Sequence, residues 1–253
     1  MKPGKLAEVQ PVSEEPRAGN VYLLRGFIGI FSTGIDALGV KLADQGVRAQ
    51  VFQDDQWRKL AATIAERHKG NENVEPLVLI GHSYGADDVV RIARDLDEHN
   101  VTVDLLVTLD PVTPPAIPKN VALAYNLYQP SALDGLPWLR GVAVKPAVQG
   151  AGEIQNLNIR NERRDLLEPG TDHFNIEKKG KIHDAVIEQV LITCPTREDW
   201  LAMRRGPHAE PQTPISTKHQ LVPAAPNASA AVAQQPVVVG RELSQPVPRP
   251  ASQ

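Results

Sequence analysis

The pentapeptide Gly81-His82-Ser83-Tyr84-Gly85 lies between a short apolar run and an amphipathic segment, and it constrains the fold more than any other stretch of the chain. Pro76 to Ile80 reads Pro-Leu-Val-Leu-Ile, the pattern of a buried strand. Across Ala86 to Leu96, apolar side chains recur at helical spacing at Val89, Val90, Ile92, Ala93 and Leu96. A strand, a G-x-S-x-G turn and a helix in direct succession place the serine at the tip of a sharp bend. Gly81 and Gly85 carry no Cβ, so strand and helix can approach closely while Ser83 holds a strained backbone. Such a bend frees the serine hydroxyl and aims the first backbone N–H groups of the helix toward it.

The same alternation runs through the rest of the core. Val21 to Leu24 reads as a first strand, Asp36 opens a helix through Leu38 and Leu42, and Gly46 is a natural helix stop. Arg48 to Phe52 reads as a second strand, followed by a helix with Trp57, Leu60 and Ile64 on one face. Val103 to Leu109, Val121 to Tyr128 and Glu153 to Ile159 give further strands, and Ile182, Val186, Ile187, Val190 and Leu191 mark a terminal helix. Strands alternating with helices imply βαβ units. The expected fold is therefore α/β, a mostly parallel sheet of about six strands with helices on both faces. Loops after the C-terminal strand ends then form the active face.

Composition bounds the rest. The 253 residues include 42% hydrophobic side chains, enough for a soluble core, and the net charge of −3 gives no bulk affinity for nucleic acid or anionic membranes. The single cysteine, Cys194, excludes an internal disulfide framework. No apolar stretch near the N-terminus has the length of a signal peptide or membrane span, so a cytoplasmic location is expected. From Pro207 onward the chain is rich in Pro, Ala, Gln and Val without periodicity. The expected division is a flexible arm over 1–20, one folded domain over 21–205, and a disordered tail over 206–253. The tail is a conceivable docking segment for a partner, but nothing in its sequence supports that.

A serine needs a base within hydrogen-bond reach, and the base needs an orienting acid. Of the seven histidines, His82 lies in the turn itself and is expected to point into the sheet. His68 and His99 end surface helices on the far side, and His208 and His219 fall in the tail. His173, in the loop between the last strand and the last helix, can reach back over the strand ends; His183, within that helix, is the weaker alternative. For the acid, Asp110 closes the strand after the helix that follows the Ser83 elbow, ahead of Pro111, with Asp134 as its rival. Asp87, Asp88 and Asp172 read as structural or solvated. Two backbone N–H groups would cradle an oxyanion, those of Tyr84 and Phe27, the latter in the glycine-bearing loop Arg25 to Gly29.

Together these residues resemble the α/β-hydrolase superfamily over nearly the whole folded region, with Ser83, Asp110 and His173 in the family's order of nucleophile, acid and histidine. The placement of Asp110 in Thr-Leu-Asp-Pro is similar to that of the pancreatic-type lipases and some thioesterases. The resemblance implies a serine esterase, lipase or thioesterase without metal or cofactor, acting on a small-molecule acyl ester or thioester. Two features depart from the family pattern. Arg25 stands where many members carry histidine, and the sheet begins at the family's third strand, which makes this a reduced form. No insertion resembles a large lid; the segment from Ser131 to Gly152 is the only candidate cap, and its Trp138 is a candidate for lining an acyl pocket. Acyl transfer to an alcohol or amine uses the same groups and stays open. So does a catalytically silent scaffold used for binding. The chain carries no phosphate-loop motif, no G-x-G-x-x-G after a strand, no H-E-x-x-H and no paired cysteines.

Overall fold

The computed structural model describes residues 16–26, 32–70, 74–130 and 141–205. Along them the chain runs β1 (Asn20–Leu24), α1 (Thr33–Asp44), β2 (Ala49–Phe52), α2 (Trp57–His68), β3 (Leu77–His82), α3 (Tyr84–Glu98), β4 (Val103–Leu109), β5 (Val121–Tyr128), β6 (Glu153–Asn158), α4 (Gly180–Thr193) and α5 (Arg197–Arg205). The six strands form one sheet in the order β2-β1-β3-β4-β5-β6. Every neighbouring pair is parallel. The α/β architecture expected from the strand–helix alternation is the one found.

The period of two along each strand sorts its side chains between the two faces. Val21 and Leu23 of β1 join Val78 and Ile80 of β3 and Leu105 and Val107 of β4 in one core, covered by Ile35, Leu38 and Leu42 of α1 and Ile182, Val186 and Val190 of α4. Tyr22, Leu24, Leu77, Leu79 and Leu106 face the other way, under Leu60 and Ile64 of α2 and Val89, Ile92 and Leu96 of α3. Strands covered on both faces read as continuous apolar runs, which is why β3 and β4 stand out in the sequence. Helix α1 stops where Gly46 was expected to stop it. Gly46 has φ 78°, and the N–H groups of Gly46 and Val47 donate to the carbonyls of Ala43 and Leu42, a Schellman closure. The helix begins at Thr33, ahead of the Asp36 expected to open it.

Three findings refine the sequence reading. Within the segment assigned to a flexible arm, residues 17–20 are anchored. Arg17 Nε donates to the Cys194 carbonyl at 2.7 Å, the Ala18 N–H to the Pro195 carbonyl at 3.0 Å, and Asn20 begins β1. Helix α5 has no buried residue, so it offers no apolar period. Its sequence signal is the start, where Thr196 Oγ1 accepts from the Asp199 N–H at 3.2 Å and donates to the Asp199 carboxylate at 2.6 Å. Finally, the described half of the candidate cap is pinned to the sheet. Asn126 Nδ2 donates to the Val142 carbonyl at 3.0 Å, Asn156 bonds both the N–H and carbonyl of Val144, and the Ala147 N–H donates to the Ile117 carbonyl. Residues 131–140, with Trp138 and Asp134, and the tail lie outside the described residues. Among the described residues no helix is long and apolar enough to cross a membrane.

Candidate active site

Ser83 sits between β3 and α3 with φ 56° and ψ −123°, a backbone region that a residue with a Cβ occupies only under strain. The surrounding backbone enforces it. The Ser83 N–H donates to the Leu109 carbonyl of β4 at 2.9 Å, and the Ser83 carbonyl accepts the N–H groups of Ala86 and Asp87 as α3 begins. A Cβ on Gly81 would lie 2.2 Å from the Gly85 carbonyl oxygen, and one on Gly85 would lie 2.3 Å from the Arg25 carbonyl oxygen. Neither obstacle is a movable side chain. Gly85→Ala is expected to lower folding stability by about 3 kcal/mol, the upper range for overpacking; a denaturant midpoint equal to that of the parent would mean that the elbow relaxes freely.

The sheet brings the three side chains picked from the sequence to one end. Ser83 Oγ lies 2.9 Å from His173 Nε2, and His173 Nδ1 lies 3.4 Å from Asp110 Oδ2. All three residues are buried. The second separation is longer than an ordinary N–H···O bond. His173 is delivered by a loop that bonds to itself: the Asp172 carboxylate accepts the Phe174 N–H at 2.9 Å, and Asn175 bonds the Asp172 N–H and the Gly170 carbonyl, both at 2.9 Å. Asp172 is thus a turn former. Phe174, half exposed, sets its ring at a right angle to His173 with centroids 5.7 Å apart.

Asp110 follows β4 with φ 46°. Its carboxylate is fully buried, with Oδ1 accepting the Gln129 N–H at 2.7 Å and Oδ2 accepting Gln129 Nε2 at 3.2 Å. One guanidinium nitrogen of Arg160 then donates to Gln129 Oε1 at 2.6 Å and to the Thr171 carbonyl at 2.9 Å. Arg160 therefore ties Gln129, the partner of Asp110, to the loop that carries His173. Gly141 closes against the same carboxylate, because a Cβ there would fall 2.1 Å from Asp110 Oδ1. Gln129, Arg160 and Gly141 were not expected at the site from the sequence. A signal existed for the first two: each follows closely on the tip of β5 or β6, the next two strand ends along the sheet. Asp87 is structural, holding the loop after β4 through the N–H groups of Val112 and Thr113 and the Thr113 hydroxyl.

Of the other expectations, Tyr84 opens α3 directly after the serine. The positive end of a helix dipole favours an anion at that position. Phe27 lies outside the described residues, but the start of its loop is fixed: Arg25 is ion-paired with Asp36 of α1, and the Gly26 N–H donates to Ser32 Oγ at 3.0 Å. His183 is buried and bonds the Glu177 carbonyl through Nε2 at 2.6 Å. His68 and His99 border a cleft of about 810 Å³ near the N-terminal ends of β3 and β4, with Pro76 and Asp104. Among the described residues, no three His, Cys, Asp or Glu side chains converge as metal ligands would.

Glu177, beneath the histidine loop, is fully buried. Lys178 Nζ lies 3.7 Å from its carboxylate and His82 Nε2 3.9 Å. Burial pushes the carboxyl up to about 7, against the pull of Lys178 and of nearby backbone N–H groups. Because the folded protein holds this proton more tightly than the unfolded chain, the stability it confers is complete below about pH 4.5 and is lost as pH rises toward 7. The always-neutral Glu177→Gln is expected to match the parent near pH 4.5 and exceed it at pH 8 by up to about 3 kcal/mol. Thermal unfolding across pH tests this, and parallel profiles for the two proteins would refute it.

An all-parallel sheet, a strained serine at an interior strand-to-helix turn, an aspartate directly after β4 and a histidine in the loop before α4 occur here together. The architecture is α/β, a parallel sheet with helices on both faces. No family model matches the chain, and no curated protein matches it. Among solved structures, the chain is similar to the NocB thioesterase domain from the nocardicin cluster, at 15% identity and TM-score 0.44, covering 69% of this chain and 95% of that one. It is also similar to Est1E from Butyrivibrio proteoclasticus, at 15% identity and TM-score 0.44, covering 72% of this chain and 91% of that one.

Proposed function

We propose that the protein is a serine hydrolase that cleaves a carboxylic ester or thioester of a small molecule through an acyl-enzyme on Ser83. The observation that carries this reading is the 2.9 Å contact between Ser83 Oγ, held on a strained turn, and His173 Nε2. Ser83 Oγ attacks the acyl carbonyl carbon and its proton passes to His173 Nε2. The charge developing on the carbonyl oxygen is met by the Tyr84 N–H at the positive end of α3, with the Phe27 N–H as the second donor; one such donor contributes about 3 kcal/mol to lowering the barrier. Asp110 holds the imidazole with Nδ1–H toward itself and balances the imidazolium charge. The tetrahedral species collapses as His173 returns the proton to the departing alcohol or thiol. Water, deprotonated by the same nitrogen, then attacks the acyl-enzyme, and His173 returns that proton to Ser83 Oγ as the carboxylic acid departs. An alcohol or amine entering in place of water would give acyl transfer through the same steps.

Labelling with a fluorophosphonate tests the reading. The probe should modify the parent protein at Ser83 and leave Ser83→Ala untouched, with labelling strongly slowed in His173→Ala. Folded parent protein that resists the probe and turns over no ester or thioester would support a silent binding scaffold instead.

A further inference from the structure

His82 has no part in the steps above, yet both its ring nitrogens are engaged at the centre of the site. Nε2 lies 2.9 Å from the carbonyl oxygen of His173, and Nδ1 lies 2.9 Å from Ser32 Oγ. Ser32 Oγ in turn accepts the Gly26 N–H at 3.0 Å. A carbonyl can only accept, so the proton of the neutral imidazole is on Nε2. Nδ1 must then accept, which makes the Ser32 hydroxyl its donor. Burial supports the neutral ring, pulling its pKa down to about 3. These assignments leave one directed chain, from the Gly26 amide through Ser32 and His82 to the backbone of His173. It begins against the elbow itself, since a Cβ on Gly26 would meet the His82 carbonyl oxygen at 2.9 Å and Ser83 Cβ at 3.1 Å. At its other end it falls on the histidine that contacts Ser83, two residues from the Thr171 carbonyl held by Arg160.

We propose that His82 is a positioning residue: it fixes the backbone of His173, and so the place of that imidazole over Ser83, while its other nitrogen anchors the loop after β1 through Ser32. The expectation that His82 points into the sheet is replaced by a bridge between two loops of the site. The inference rests on the acyl-transfer reading only for its kinetic consequence; the bridge itself is a matter of geometry. Displacing a reacting group by about 1 Å lowers rate on the order of 100-fold without necessarily weakening binding.

The test uses the full chain labelled with [¹⁵N]histidine, in parent, His82→Gln, His82→Asn and Ser32→Ala forms. Long-range ¹H–¹⁵N spectra report each ring's tautomer, and kcat and KM are measured on p-nitrophenyl acetate per fluorophosphonate-titrated site. In the parent, His82 should show the neutral Nε2–H pattern from pH 5 to 8. A glutamine amide can reach the Nε2 position and donate to the His173 carbonyl; an asparagine amide reaches only the Nδ1 position. His82→Gln should therefore keep the His173 ring signals and most of kcat. His82→Asn should shift and broaden those signals and lower kcat on the order of 100-fold at unchanged KM, with an unfolding temperature close to that of the glutamine variant. Ser32→Ala should leave the His173 signals in place, because it cuts only the other arm. A protonated or Nδ1–H His82 in the parent at pH 6 overturns the proposal, as do His173 signals indifferent to both His82 variants. His173 signals that separate the two variants in a protein with no ester turnover would uphold the positioning role and reject acyl transfer.

Discussion

Ser83→Ala is expected, on the proposed mechanism, to lower kcat toward a short acyl ester by about 10⁶-fold, because removal of a nucleophile from a cooperating set costs nearly as much as removal of the whole set. What survives is the polarising effect of the helix end and of substrate binding. The fold should tolerate the change, since the Ser83 hydroxyl is bonded to His173 Nε2 and the elbow is held by backbone contacts. A companion variant separates chemistry from strain. Ser83 holds φ 56°, a region that costs a residue with a Cβ about 1–3 kcal/mol and glycine far less. Ser83→Gly is therefore expected to be as inactive as Ser83→Ala but more stable than it, by an amount reduced by the greater freedom of glycine in the unfolded chain. Turnover per mole of folded protein and urea midpoints for the three proteins check both claims. An alanine variant that keeps more than a trace of turnover would remove Ser83 from the mechanism.

The sheet was legible in the sequence because parallel strands covered on both faces leave unbroken apolar runs, as in β3 and β4, and because turns at Gly46 and Asp110-Pro111 punctuate them. Helix α5 was not, since a helix with no buried residue has no apolar period, and only the Thr196–Asp199 start betrays it. At the site, the proposed acyl-transfer chemistry restricts the residue types, and the fold restricts the positions: Ser83 and Asp110 directly follow β3 and β4, and His173 lies in the loop before α4. Gln129 and Arg160 sit at equivalent tips, but glutamine and arginine in loops are common, and their role depends on hydrogen bonds across 19 and 11 residues of sequence to Asp110 and Thr171. His82 shows the same limit from the other side. Its burial follows from its place in the elbow strand, whereas its partners come from residues 50 and 91 positions away. Side-chain bridges between distant loops leave no local periodicity to read.

Asp110→Asn is expected to be the second most damaging change, lowering kcat by about 10⁴-fold with the site otherwise intact. The hydrogen bonds around the carboxylate dictate how the new amide must sit. Oδ1 accepts the Gln129 backbone N–H at 2.7 Å, so the asparagine oxygen takes that place and its NH₂ replaces Oδ2. There the NH₂ meets Gln129 Nε2, another donor. Gln129 cannot simply turn over, because its Oε1 is held by Arg160 at 2.6 Å. The amide is left donating to His173 Nδ1, which forces the imidazole proton onto Nε2. In that tautomer the nitrogen facing Ser83 Oγ carries a hydrogen and cannot take the serine's proton. Turnover should therefore collapse while the unfolding temperature falls only modestly, and ¹⁵N spectra should show His173 switched to the Nε2–H form. The rival acid makes the outcome decisive. If Asp134 supplies the carboxylate, Asp110→Asn would leave kcat within tenfold of the parent, and Asp134→Asn would show the loss instead.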